Sequence, residues 1–74
     1  MRIDNVVQLI ENGGTIELGP IGGVGCAAVA SDGTHCLAML VRDRNEAVLA
    51  LLERLDEAIE DAIERQIYAD EING

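Results

Sequence analysis

With 74 residues and a formal net charge of −9, the chain has room for one domain with a modest core, because a folded chain of this size buries only about 60% of the surface it exposes when unfolded. Fourteen Asp and Glu against five Arg argue against a phosphate backbone or an anionic membrane as partner, since both select for cations. Tyr68 is the one aromatic residue, so the interior must be built from Val, Ile, Leu, Met and Ala.

In chain order, Arg2 to Asn12 predicts a short helix: Ile3, Val6, Val7 and Ile10 fall at helical spacing and Asp4 is placed to cap it. Gly13-Gly14 ends that pattern. Thr15-Ile16-Glu17-Leu18 alternates polar and apolar residues, which suits a half-buried strand with Ile16 and Leu18 inward. Gly19-Pro20-Ile21-Gly22-Gly23 then predicts a turn or loop. Val24 to Ala30 and Thr34 to Arg42 read as two strands of a hairpin, because Asp32-Gly33 lies between apolar runs. A two-residue turn there sets Cys26 opposite Met39 and Cys36 opposite Val29, on opposite faces, a geometry no disulfide can span. That register groups Val24, Cys26 and Ala28 with Leu37, Met39 and Val41, and groups Ala27 and Val29 with Ala38 and Leu40. Both faces are apolar and both need cover.

Asn45 to Tyr68 predicts a long amphipathic helix of about 23 residues, roughly 35 Å. Val48, Leu51, Leu52, Leu55, Ile59, Ala62 and Ile63 recur at steps of three and four and form its inner stripe. Asp43 and Glu46 have the spacing of a capping box, with Asn45 as the alternative cap. Asp70 to Gly74 reads as a frayed acidic tail. The expected architecture is a single α+β domain over residues 1–74: a small three-stranded antiparallel sheet packed with a short N-terminal helix and a long C-terminal amphipathic helix. The start of the chain lacks the basic, apolar pattern of a secretory signal, and no run approaches the ~18 apolar residues of a bilayer span. These features predict a cytoplasmic protein with no membrane partner.

Cys26, His35 and Cys36 are the soft-metal ligand types present, and they lack the paired spacing and the fourth ligand of structural zinc. His35 and Cys36 are neighbours in a predicted strand and point to opposite faces, which opposes a Cys/His catalytic pair. Structural roles are expected for all three, in a reducing compartment. Gly22, Gly23 and Gly25 resemble part of a phosphate loop, but a strand follows where such a loop requires a helix, and the chain contains no Lys. No cofactor or metal is expected.

The acidic face of the long helix is the candidate site. Glu53, Glu57, Glu60 and Glu64 follow at steps of four, three and four, with Asp56 and Asp61 on the flanks. Glu46 to Glu71 holds nine acids against Arg54 and Arg65, whereas ordinary solvated helices mix signs. Glu53 with Glu57, Asp56 with Glu60, Glu57 with Asp61 and Glu60 with Glu64 are like-charged pairs, each costing roughly 0.2 to 0.5 kcal/mol. Asp61 with Arg65 is the one compensating pair at that spacing. Stability given up locally points to a binding site. Glu53 to Glu64 spans roughly 16.5 Å of helix with carboxylates every ~5–6 Å, a coarse match to one strand of duplex DNA at ~3.4 Å per charge. Such a row offers no environment that separates two pKa values, so general acid and base chemistry is not expected.

With its small size, Lys-free acidity and the carboxylates Glu53, Glu57, Glu60 and Glu64 on one helix, the chain resembles the small acidic anti-CRISPR proteins of phages and prophages, several of which look like DNA to a Cas subunit. The resemblance is one of overall character rather than of a motif. It implies a non-enzymatic inhibitor in the bacterial host cytoplasm, binding a basic groove of a Cas effector subunit through Glu53, Asp56, Glu57, Glu60, Asp61 and Glu64. The alternative is an assembly module that forms a homodimer through Val48, Leu52, Leu55 and Ile59, or through the sheet face around Ala27 and Ala38.

Overall fold

A computed structural model describes residues 1–73 of the chain. Helix α1 (Asp4–Glu11) is followed by strands β1 (Thr15–Ile21), β2 (Val24–Ser31) and β3 (Cys36–Val41), helix α2 (Val48–Arg65) and a two-residue strand β4 (Ala69–Asp70). The sheet order is β1-β2-β3-β4. The first three strands pair antiparallel, and β4 returns parallel to β3 with Ala38 beside Ala69 and Met39 beside Asp70. A parallel return needs a crossover, and α2 supplies it. The fold is therefore α+β, but with a four-stranded mixed sheet in place of the expected three antiparallel strands.

The fourth strand lies where a frayed acidic tail is expected. The Glu71 amide donates to the Met39 carbonyl (2.7 Å), and the Glu71 carboxylate accepts from the Val41 amide (2.9 Å). One residue of the tail thus serves the β3 edge with both backbone and side chain. Gly74 lies outside the described residues.

The β1–β2 turn is Gly22-Gly23, with φ of 56° and 85°. A two-residue hairpin turn of the primed type requires positive φ at both positions, which glycine adopts without strain. Strand β1 accordingly runs on to Ile21, with Pro20 facing a bulge of β2 at Gly25 and Cys26. Proline is tolerated there because β1 is an edge strand.

The second hairpin departs from its expected register. Ser31 pairs with Cys36, leaving a loop from Asp32 to His35 in place of a two-residue turn. Its cause is the Asp32 side chain, which accepts from the Thr34 and His35 amides at 2.8 and 2.6 Å and widens the turn. Leu37 is then an extra residue in β3, so that Leu37 and Ala38 both reach the core opposite Ala30. Ala28 pairs with Leu40, Val29 with Met39 and Ala27 with Val41, an odd shift that exchanges the two faces of β3 relative to β2. Cys26 packs against the core while Cys36 is exposed, and both thiols are free.

Both helices cover the same sheet face. The core joins Val6 and Leu9 of α1 with Ala28, Ala30, Leu37, Ala38 and Leu40 of the sheet and Leu51, Leu55, Ala58, Ile59 and Ala62 of α2. Its largest fully buried side chains, Leu51, Leu55 and Ile59, all come from α2. Small alanines on the strands let α2 approach closely, so a chain without Phe or Trp still closes a core. Leu18 of β1, and Val48 and Ile63 of α2, were expected inside and are exposed, as are Val7 and Ile10 of α1. Alternation along the strands turns Ala27, Val29, Met39 and Val41 away from the helices.

Helix α2 has 18 residues rather than 23. Its start is displaced because Asn45 has φ of 69°, which no right-handed helix accommodates. The reciprocal half of the capping box does form, the Asp43 amide donating to Glu46 Oε1 at 2.8 Å, but it closes a turn before the helix. At the other end Gln66 is left-handed (φ 57°) and the Ile67 amide reaches back to the Asp61 carbonyl. No described helix is long and apolar enough to cross a membrane.

Candidate acidic interface

Glu53, Glu57, Glu60 and Glu64 do fall in one line on α2. Glu53, Glu57 and Glu64 are exposed and Glu60 is partly so. Their placement follows from helical period alone, since steps of four, three and four return to nearly the same azimuth. Among the described residues, no Arg or His side chain comes within ion-pair distance of any of the four. The nearest donor is the Arg2 backbone amide, 3.4 Å from Glu53 Oε2. Asp61 stands apart from the row, paired with Arg65 at 2.7 Å.

Asp56 is the one expected interface residue that the structure removes. It is 3% exposed and faces α1 rather than solvent. Its Oδ1 accepts from the Val6 amide at 2.9 Å, and its Oδ2 accepts from Asn5 Nδ2 at 3.0 Å. The residue before α1 is Ile3, which offers no side-chain cap, and Asp4 makes no capping bond either. Asp56 therefore caps α1 from another helix, satisfying one of the amide donors that every helix N-terminus leaves unpaired. The carboxylate also meets the positive end of the α1 dipole.

Arg54 explains why the row lacks a counter-charge. It leaves the acidic face and turns toward the β3 edge, where Nε meets Glu46 at 2.9 Å and Nη1 meets Glu71 at 2.9 Å. Nη2 donates to the Val41 carbonyl at 2.8 Å. Glu46, with Glu71 assisting, raises the guanidinium still further above its ordinary value, so its charge is permanent. In return the Arg54 bond, followed by the Asp43 amide, holds the Glu46 carboxyl below its ordinary 4.5. A carboxyl depressed on folding contributes stability above its unfolded pKa that is lost as pH falls through the folded value. Replacing Arg54 with Met should lower the unfolding free energy by about 1–3 kcal/mol, because the Val41 carbonyl loses its charged donor. It should also flatten the loss of stability below pH 4.5. Urea titrations of both proteins from neutral pH downward check this, and parallel acid limbs would refute the Glu46 part.

Two hollows lie along the α1–α2 groove. One, of about 190 Å³, is lined by Arg2, Asn5, Glu53, Asp56, Glu57 and Glu60. The other, of about 220 Å³, has Leu9, Leu37 and Ile63 with Asn5, Gln8, Asn12 and Asp32. Asn5 lines both, so the two hollows adjoin at its side chain, which reaches across to Asp56. Sequence reasoning missed the α1 contribution. Its signal was present, since Asn5, Gln8 and Asn12 stand at helical spacing on one face.

The remaining candidates do not converge. Cys26 is half-buried against the core, Cys36 is exposed, and His35 lies in the loop with Nδ1 3.8 Å from Asp32. Among the described residues, no three His, Cys, Asp or Glu side chains form a group able to hold a metal ion. The glycines Gly22 and Gly23 form a hairpin turn, with no helix following to receive a phosphate. Comparison with protein-family models, curated proteins and solved structures found no match for this chain.

Proposed function

We propose that the protein is a non-enzymatic acidic inhibitor that docks the Glu53–Glu57–Glu60–Glu64 row into a basic, nucleic-acid-binding groove of a partner protein. The observation that carries this reading is the absence of ion pairs along the row among the described residues, while Arg54 on the same helix is drawn inward to Glu46 and Glu71. An exposed carboxylate row without internal counter-charges is free to take the place of a nucleic-acid backbone against Arg and Lys. The resemblance to anti-CRISPR proteins makes a Cas effector subunit the first partner to test. Asp61 sits at the margin, its charge shared with Arg65, and Asp56 acts only through α1.

The experiment is capture by the immobilised protein from bacterial lysate at low and high salt, followed by competition with duplex DNA. A captured nucleic-acid-binding protein, released both by salt and by DNA, is the expected result, because the contacts are screened within a Debye length of about 8–10 Å. Capture indifferent to both would overturn the reading.

The assembly alternative loses its helix surface and the Ala38 side of the sheet but keeps the Ala27 side. Leu55 and Ile59 are fully buried, and Ala27 and Ala38 face opposite sides of the sheet. What supports it now is the half-exposed sheet face of Val29, Met39 and Val41. A dimer seen by sedimentation, insensitive to salt and weakened by Met39→Glu, would favour it.

A further inference from the structure

The α1–α2 groove joins two chemistries end to end. Its acidic half is bordered by Glu53, Glu57 and Glu60, with Arg2 as the one cation in the lining. Its other half has an apolar lining, Leu9, Leu37 and Ile63, with the side-chain amides of Asn5, Gln8 and Asn12 around it. Ile63 is 61% exposed although its neighbours in sequence, Ile59 and Ala62, are buried. Its bearing on binding comes from its place: Ile63 forms one wall of a hollow whose apolar floor is Leu9 and Leu37, within one helical turn of Glu60 and Glu64. The Asp32 carboxylate closes the far end, held ionised below its usual range by the His35 and Thr34 amides.

We infer that the groove takes a basic partner segment that inserts one aliphatic or aromatic side chain against Leu9, Leu37 and Ile63 while its Arg or Lys residues lie against Glu53, Glu57 and Glu60. The inference rests on the acidic docking proposed above and adds what anchors it. The size fits one side chain: an apolar cavity of about 150 Å³ admits benzene, and this hollow measures about 220 Å³. The surrounding amides suit the backbone of the inserted segment, since each both donates and accepts hydrogen bonds. Charge complementarity selects the segment. Glu53, Glu57 and Glu60 outnumber the single Arg2 on one side and Asp32 stands on the other, which leaves cationic flanks as the favourable choice. The division of labour is the usual one, a buried apolar anchor supplying affinity and the charges supplying rate and selectivity.

A panel of short synthetic Arg- and Lys-rich peptides tests it, each carrying a single Leu, Phe or Ser placed in every register. Affinity is read by fluorescence anisotropy at low and physiological salt, with the side-chain amide signals of Asn5, Gln8 and Asn12 followed by NMR. In the best register the Leu or Phe peptide should bind roughly tenfold or more tighter than its Ser counterpart, the worth of burying one such side chain. That preference should vanish in Ile63→Ser and persist in Glu57→Gln/Glu60→Gln, which should lose salt dependence instead. Equal binding of Leu and Ser peptides with steep salt weakening overturns the anchor and leaves the acidic docking standing. A Leu preference with salt-independent binding, unchanged by the Gln substitutions, overturns the acidic docking and leaves the anchor. Absence of binding across the panel at low salt overturns both.

Discussion

Asp56→Ala is expected to lower the unfolding free energy by about 1–3 kcal/mol, the cost of leaving a buried amide without its acceptor. The Val6 amide donates to Asp56 Oδ1 at 2.9 Å, and the residue is only 3% exposed. The substitution also removes the negative charge from the N-terminus of α1, worth a further ~0.3–1 kcal/mol. In a domain whose whole stability is only ~5 kcal/mol, that is a large fraction. Asp56→Asn should cost less, because its amide oxygen can still accept from Val6 and Asn5 can rotate its own side chain to match. Urea denaturation followed by circular dichroism orders the three proteins. Ala and Asn variants of equal stability would show that the carboxylate does not cap α1.

The second large effect is on binding. Replacing Glu53, Glu57, Glu60 and Glu64 together with Gln should abolish capture of a basic partner while raising stability by ~1 kcal/mol. The gain comes from the like-charged pairs Glu53–Glu57 and Glu60–Glu64, and from relief of Glu57 against Asp61, each roughly 0.2–0.5 kcal/mol. Little is lost in exchange, since the row makes no internal ion pair among the described residues and its one backbone contact, to Arg2, is 3.4 Å long. Opposite movements of affinity and stability are the mark of a site that the fold tolerates rather than needs. A variant that keeps its partner would remove the row from the interface, and one that unfolds would make it structural.

The same distinction applies to Asp56 and Glu57, neighbours on α2 with different fates. Glu57 is exposed and makes no ion pair among the described residues, whereas Asp56, one residue earlier, is rotated about 100° around the helix and lies against α1. A count of acids treats them alike. A variant series that includes Asp56 in the acidic set would lose binding through the unfolding of α1 and give a false positive for the interface.

Much of the fold was legible because it is local. The first helix, the apolar stripe of Leu51, Leu55, Ile59 and Ala62, and the two strands flanking Asp32-Gly33 all follow from spacing within a few residues. What was misread needed a partner distant in the chain. The register of β2 against β3 turned on whether Asp32 would accept two loop amides, and that choice exchanged the faces of β3. The start of α2 turned on Glu46 being held by Arg54 and the Asp43 amide ahead of the helix. Strand β4 carries no strand signal in Ala69-Asp70 and exists because α2 delivers it beside β3, where Glu71 completes the pairing.

From the sequence by itself came the α+β class and the alignment of Glu53, Glu57, Glu60 and Glu64, since helical period places them in one row whatever packs beneath. Only the tertiary structure decided which charges remain available. Asp56 is consumed by an amide 50 residues away and Arg54 is recruited to the β3 edge by Glu71, 17 residues on. The physical reason is range: periodicity is a property of neighbours along the helix, whereas the satisfaction of a buried donor depends on what the folded chain brings within about 3 Å.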